Sequence, residues 1–113
     1  MYKIEAIIRP HLFDAVRDAL SGLGVIGLTT IDCRGTGHQP DVAHTFRGSQ
    51  YAHSLAHRLF VATVVRDDQL EEVVNAIQIA ASTGEVGDGK IFIFKVHDVV
   101  RIRTNERGET ALS

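Results

Sequence analysis

The sequence has 113 residues, a formal net charge of −2, 44% hydrophobic residues and 23% charged residues, which is typical of one globular domain and not of a disordered chain. The near-neutral charge excludes general affinity for nucleic acid, which needs a basic face, and no apolar run approaches the roughly 20 residues of a membrane span. Cys33 is the one cysteine, so no internal disulfide can form. We therefore expect a cytoplasmic protein with a single domain over residues 1–113.

The first third of the chain predicts a strand, a helix and a second strand. Apolar residues alternate over residues 2–9, and Pro10 ends that strand because it has no N–H to donate. Residues 12–20 carry an apolar stripe at helical spacing, which the glycines of 22–24 terminate. Residues 25–34 are rich in β-branched side chains and predict the second strand.

The remainder of the chain repeats that order after a long irregular segment. Residues 37–57 sustain no period, and a structureless stretch of about 20 residues is rare in a small domain unless it is functional. The elements expected beyond it are a strand at 59–65, a helix with an apolar stripe from Leu70 to Ala81 that Gly84 stops, a strand at 90–96, a short extended tail at 99–103 and a loose polar end from Asn105.

Two successive strand–helix–strand units predict an α+β fold, the ferredoxin-like βαββαβ arrangement. It has one antiparallel sheet, two helices on one face, and here a long loop between strands 2 and 3. Strand 59–65 is apolar at nearly every position, so both of its faces should be buried. That pattern favours a subunit interface over the open sheet face. The alternative is that the long loop folds back over the same face.

Residues 84–90 fit the first seven positions of the P-loop pattern G-x-x-x-x-G-K. The match fails at Ile91, where a P-loop needs Ser or Thr, and the segment runs from helix to strand instead of from strand to helix. Its glycines could still let backbone N–H groups approach an anion, with Lys90 supplying charge. The alternative is a simple turn between helix and strand.

Arg101 and Arg103 stand two residues apart, so on an extended strand both guanidiniums would leave the same face. Two adjacent like charges suit a polyphosphate, to which arginine offers bidentate hydrogen bonds. The alternative is a solvated edge strand. Together with Lys90, the two arginines favour an anionic ligand.

Several further side chains are weaker candidates. His53 and His57 have the i, i+4 spacing of a helical metal site, although no helix is evident there and ordinary polar loop residues are the alternative. Tyr51 is a possible contact or modification acceptor in the long loop, and Cys33 is expected to be a small core residue. No arrangement of nucleophile and base stands out, so no catalytic residue is expected.

Four segments together resemble the PII family of signal-transduction proteins: Tyr-Lys-Ile-Glu-Ala-Ile-Ile-Arg-Pro at 2–10, Phe-Arg-Gly-Ser-Gln-Tyr at 46–51, Thr-Gly-Glu-Val-Gly-Asp-Gly-Lys-Ile-Phe at 83–92 and Arg-Ile-Arg-Thr at 101–104. The resemblance covers essentially the whole chain. It implies a homotrimer of ferredoxin-like subunits that binds ATP or ADP in the clefts between them. A T-loop, here about 37–55, would report the ligand to a target protein such as a membrane transporter or a metabolic enzyme, and a tail at about 104–113 would end the chain.

The resemblance also implies roles for individual residues. The residues expected to contact the phosphates are Gly87, Asp88, Gly89, Lys90, Arg101 and Arg103. His38 stands in place of an arginine that usually helps to bind the phosphates. The residues expected on the adenine side are Thr29, Gly35, Thr36, Gly37 and Val64. Gln39 matches the residue that completes magnesium coordination when 2-oxoglutarate joins ATP. Arg58 stands where the family has a lysine that pairs with 2-oxoglutarate, and Tyr51 matches the nucleotidylylated tyrosine.

The sequence also departs from the family pattern. Thr36 replaces a phenylalanine, Ala62 replaces a glutamate near the adenine, and the stretches 40–45 and 52–57 are unusual. These differences favour a divergent regulator. An enzyme is not expected, because the sequence offers no convincing general base beside the phosphate loop. The alternatives are a PII-like sensor with another small-molecule or metal effector and a non-nitrogen target, and a slow ATPase.

Overall fold

The computed structural model describes residues 1–36, 44–46, 49–51 and 55–113, with the backbone alone for 44–46 and 49–51. Short 3-10 turns lie at Pro10–Leu12, Asp67–Gln69 and Gly108–Leu112. The strands and helices of the described part are, in chain order, β1 (Tyr2–Ile8), α1 (Phe13–Gly22), β2 (Thr29–Gly35), β3 (His44–Phe46), β4 (Ser49–Tyr51), β5 (Ala56–Val65), α2 (Leu70–Ala81) and β6 (Lys90–Lys95).

Four of the strands form one antiparallel sheet in the order β2-β5-β1-β6. The two central strands are β5 and β1, and β2 and β6 form the edges. This is the strand order of the ferredoxin-like fold, which confirms the predicted fold class. A second ladder, β3 with β4, lies within the long loop.

The hydrophobic core lies between one sheet face and the two helices. Alternation along β1 turns Ile4, Ala6 and Ile8 to that face, and all three are buried. The helices complete the core with residues at helical spacing, among them Leu20 and Ile77. Full burial of one such aliphatic side chain stabilises the fold by about 1.5–3 kcal/mol. No helix of the described part is long and apolar enough to cross a membrane.

The other sheet face also carries large apolar side chains. The register places Ile7 opposite Phe60 and Phe60 opposite Ile31, all on this face. Phe92 and Phe94 are 45% and 49% exposed there, and Ile31 is 55% exposed. We call this set the open-face patch; its members are Ile7, Ile31, Phe60, Val64, Phe92 and Phe94.

The second predicted strand is four residues too long at its start. β2 begins at Thr29, not at 25, because residues 25–28 are bonded elsewhere. The Val25 amide donates to the Leu20 carbonyl at 2.9 Å, which ends α1, and the Gly27 carbonyl accepts the Thr63 hydroxyl at 2.8 Å. These two bonds, one local and one long-range, replace the ladder that a strand would need.

Two other boundaries move. β5 begins at Ala56, three residues before the predicted start at 59, since pairing with β2 continues to Gly35. α2 ends at Ala81 and not at Gly84, which lies in the following turn with a φ of 83°. The predicted helix and strand types are correct at both places.

The C-terminal prediction was wrong. Residues 99–103 are not an extended strand, and the chain beyond Asn105 is not loose. Val100 forms a bridge with Arg107 across a turn in which Asn105 has a φ of 63°, and a 3-10 turn follows at Gly108–Leu112. Asp98 ties the two arms together by accepting the amide of Gly108 at 3.2 Å and the Arg107 guanidinium at 2.9 Å. We call residues 98–108 the C-terminal hairpin.

Candidate functional site

A cleft of about 410 Å³ lies at the end of the sheet where β2 ends and β5 and β6 begin. The loop between α2 and β6 forms one wall. We call it the glycine cleft; the residues that line it are Ile7, Gly35, Thr36, Ala56, Arg58, Val86, Gly87, Gly89, Lys90 and Phe92. Six of the residues singled out for a ligand from the sequence therefore meet here, namely Gly35, Thr36, Arg58, Gly87, Gly89 and Lys90.

Glycine is required at position 89 by the backbone geometry. Gly89 has a φ of 94°, and a Cβ added there would lie 1.7 Å from the Ile7 carbonyl oxygen. Gly87 also has a positive φ, 104°. Such a loop presents bare backbone to the cleft, and successive backbone N–H groups in this kind of turn favour anions.

Asp88, between those glycines, does not line the glycine cleft. Its carboxylate accepts the Thr83 hydroxyl, the Thr83 amide at 2.8 Å and the Gly84 amide at 3.0 Å, and it pairs with the Arg9 guanidinium at 3.2 Å. The Thr83 hydroxyl bond is the largest of the effects that lower the pKa of Asp88 from 3.8 to about 2. Asp88 thus stays ionised and holds the loop in shape, and it is not among the residues that line the cleft.

Two cationic side chains reach the glycine cleft. Lys90 is exposed at the first position of β6, opposite Ile7. Arg58 lies on β5 opposite Cys33, and its Nη1 donates to the His57 carbonyl at 2.8 Å. The cleft therefore combines glycine backbone with two positive charges, which is a chemistry suited to phosphate or carboxylate groups.

Thr29 and Val64 lie elsewhere. They line a second cleft of about 330 Å³, which we call the tail cleft because Ala111 and Leu112 of the C-terminal turn form part of it. The resemblance grouped Thr29 and Val64 with Gly35 and Thr36, but within one chain the two pairs line different clefts.

Arg101 and Arg103 do not join Lys90 in the glycine cleft of the same chain. The predicted shared strand face is wrong, because both residues lie in the C-terminal hairpin and not in a strand. The Arg101 guanidinium is bonded to Glu106, whereas Arg103 is exposed and its side chain has no hydrogen bond or ion pair with the described residues.

Four of the candidate residues, Gly37, His38, Gln39 and His53, lie outside the described residues. Tyr51 lies on β4, for which the backbone alone is described. His57 lies on β5, so the helical spacing considered for a histidine pair does not apply. Among the described residues, no group of three or more His, Cys, Asp or Glu side chains could hold a metal ion.

Sequence reasoning missed two residues that shape the site. Arg9 reaches across 79 positions to Asp88, and its Nη2 also donates to the Val86 carbonyl at 3.1 Å. Ile7 contributes the carbonyl that excludes a side chain at position 89. Neither role has a local sequence signal, since both depend on β1 lying beside β6 in the folded sheet.

Comparison with known proteins identifies the family of the chain. The family model described as nitrogen regulatory protein P-II matches residues 1–106. The chain belongs to the P-II family. A nitrogen regulatory protein P-II from Microchaete diplosiphon is 47% identical over 112 residues, which is 99% of this chain and 100% of the relative. GlnK of Escherichia coli is 40% identical with the same coverage.

A solved P-II structure has the same fold. The crystal structure of Arabidopsis thaliana PII bound to citrate matches with a TM-score of 0.80 and 40% identity, covering 98% of this chain and 88% of that one. The family resemblance drawn from the four segments is therefore confirmed. The P-II relatives are named as regulatory proteins and not as enzymes.

Proposed function

We propose that the protein is a homotrimeric, cytoplasmic P-II regulator that binds ATP or ADP in clefts between subunits and controls a target protein through its T-loop at about 37–55. The target would be a membrane transporter or an enzyme of nitrogen metabolism. The observation that carries the proposal is the glycine cleft, in which a bare glycine loop and Lys90 face an open space of about 410 Å³.

The charges around the glycine cleft support a phosphate ligand. Lys90 and Arg58 are positive. The loop has two acidic residues: Glu85 does not line the cleft, and Asp88 is bound to the amides of its own turn. A polyphosphate would therefore meet cations and backbone donors without a facing carboxylate among the described lining residues.

The open-face patch supports association. Exposed aromatic residues such as Phe92 and Phe94 on one sheet face are typical of an interface, since a solvated face of an antiparallel sheet is normally polar. Assembly would also let one copy's Arg101 and Arg103, together with its tail cleft, reach the glycine cleft of the next copy. A nucleotide would then contact two subunits.

We extend the proposal to a second ligand. Arg58 lines the same cleft as Lys90, so a carboxylate of 2-oxoglutarate could pair with Arg58 while ATP occupies the glycine loop. Magnesium would bind with ATP and Gln39. The Arabidopsis relative is described as bound to citrate, a small polycarboxylate, which supports a carboxylate ligand for this family. Nucleotidylylation of Tyr51 remains a prediction.

Isothermal titration with ATP and with ADP tests the proposal. We expect dissociation constants below about 1 mM, and a loss of at least about tenfold in Lys90→Ala, because a charge-assisted hydrogen bond to phosphate is removed. Lys95→Ala is the matched control: it removes the same charge from the same strand, but Lys95 does not line the cleft. Absence of binding at this concentration, or equal effects of both variants, contradicts the proposal.

Sedimentation equilibrium tests the assembly. Phe94→Glu places a charge on the open-face patch and should give monomers, whereas Ile79→Glu, on the outer face of α2 where Ile79 is 71% exposed, should leave a trimer. A monomeric parent protein removes the trimer from the proposal. Steady-state release of phosphate from ATP well above a slow background would favour the ATPase alternative instead.

A further inference from the structure

Arg101 is held by its own C-terminal segment. Its Nη1 donates to the Glu106 carboxylate at 2.5 Å, and its Nη2 donates to the Thr110 carbonyl at 3.0 Å and to the Ser113 carbonyl. The side chain is 23% exposed. Three acceptors of the tail thus engage both terminal nitrogens of the guanidinium.

Backbone hydrogen bonds of the C-terminal hairpin keep the Glu106 carboxylate next to the Arg101 guanidinium. The Arg101 amide donates to the Glu106 carbonyl at 2.9 Å, and the Asn105 amide donates to the Arg101 carbonyl at 2.8 Å. Thr104 donates its hydroxyl at 2.6 Å to the same Glu106 oxygen that accepts Arg101. That hydroxyl bond and the nearby Arg101 charge lower the pKa of Glu106, so the carboxylate is ionised at neutral pH.

Arg103, two positions further along, is not held in this way. Arg103 is exposed, and its side chain has no hydrogen bond or ion pair with the part of the chain that the structure describes. Two arginines that stand two positions apart therefore differ in availability: Arg103 can meet an anion directly, but Arg101 must first leave Glu106.

We propose that Glu106 is an intramolecular competitor for Arg101, which keeps this arginine from an anionic ligand until the ligand displaces the carboxylate and releases the C-terminal turn. This inference rests on the proposed function, in which Arg101 contacts the phosphates of a nucleotide. If a ligand binds only the state in which Arg101 is free of Glu106, its apparent affinity is the intrinsic affinity multiplied by the fraction of molecules in that state. Removal of the Glu106 charge raises that fraction.

The test is isothermal titration of ATP into the full chain and into Glu106→Gln. The matched control is Glu109→Gln, which removes the same charge from the exposed Glu109 of the adjacent 3-10 turn; Glu109 has no hydrogen bond or ion pair with the described residues. We expect Glu106→Gln to bind ATP about 3- to 5-fold more tightly than the parent, which corresponds to loss of a partly exposed ion pair. Glu109→Gln should stay within about twofold, so a general charge effect is separated from the specific one.

A second measurement follows the tail itself. If ATP releases Arg101, the Gly108 amide, which donates to the Val99 carbonyl at 3.0 Å, should exchange with deuterium faster at saturating ATP. Slower exchange at Gly108, or an affinity of Glu106→Gln equal to or weaker than that of Glu109→Gln, overturns the competitor role and makes Glu106 a positioning residue. If the parent and both variants all fail to bind ATP, the proposed function fails, and the inference fails with it.

Discussion

Replacement of Gly89 by alanine tests how the glycine loop is built. An alanine Cβ at this position would lie 1.7 Å from the Ile7 carbonyl oxygen, at a φ of 94°. Gly84→Ala is the matched control in the same loop. Gly84 has a similar φ of 83°, but a Cβ there would meet nothing within 4 Å. The two variants therefore share the conformational cost and differ in the clash.

The magnitude follows from what must move. A positive φ costs a non-glycine residue about 1–2 kcal/mol, which is the expected destabilisation for Gly84→Ala. In Gly89→Ala, the Ile7 carbonyl oxygen and the new Cβ must move apart by more than about 1 Å to reach an ordinary van der Waals contact. Ile7 lies on a central strand, paired with both Phe60 and Lys90. Its displacement would weaken ladder hydrogen bonds on both sides, so we expect a loss of about 3–5 kcal/mol in the free energy of unfolding.

Urea unfolding followed by circular dichroism measures both values. With a slope of about 2 kcal/mol/M, the midpoint of Gly89→Ala should fall by about 1.5–2.5 M and that of Gly84→Ala by about 0.5–1 M. All proteins must be compared at one concentration, because association of the chains would add to the apparent stability. If the two variants lie within about 0.5 kcal/mol of each other, the close approach of Ile7 to Gly89 is not a determinant of this loop.

Three other predictions concern the same fold. Ile77→Ala should lose about 2–5 kcal/mol in urea unfolding because this side chain is 2% exposed, whereas Ile79→Ala, 71% exposed on the same helix, should stay within about 0.5 kcal/mol; equal losses would contradict the assigned core face. Thr63→Val should lose about 1–3 kcal/mol because it leaves the Gly27 carbonyl, now 2.8 Å from the hydroxyl, without its donor, and Thr63→Ser should recover most of this. Asp88→Asn should be less stable than the parent at neutral pH, and the difference should shrink as the pH falls from about 4 through about 2. The reason is that the pKa of Asp88 is lowered from 3.8 to about 2 in the folded state, so its contribution is present above the ordinary value and is lost below the folded one; unfolding midpoints that differ equally at neutral pH and at about pH 2 would refute this.

The sequence predicted most of the fold because its elements carry regular periods. β1 alternates apolar and polar residues, and α2 places Val73 and Ile77 on one face, so the type and order of these elements follow from local patterns. Strand ends were less predictable. Residues 25–28 have the composition of a strand, but the Thr63 hydroxyl takes the Gly27 carbonyl, and no pattern within 25–28 indicates that long-range bond.

The anion chemistry of residues 84–90 was visible in the sequence because it depends on a short segment with three glycines and a lysine. Its detailed construction was not. Asp88, read as a residue that would contact phosphates, is bound by Thr83 and Arg9, and Arg9 lies 79 positions away. Only the pairing of β1 with β6 brings those groups together. The order of charged residues along the chain could not show that the Asp88 carboxylate stabilises the loop.

Arg101 and Arg103 show most clearly what sequence spacing cannot predict about the placement of side chains. Period-two spacing places two side chains on one face only if the backbone is extended, and here Asn105, with a φ of 63°, turns the chain back so that Glu106 meets Arg101. Arg101 and Glu106 are five positions apart, a spacing that neither a helix nor a strand makes adjacent. The cluster of charges in the sequence therefore divides into one arginine that is paired within the chain and one that is exposed. If these arginines contact a nucleotide, binding must break the contact between Arg101 and Glu106 and form one between Arg101 and a phosphate. The affinity would then report the stability of the C-terminal hairpin as well as the number of positive charges.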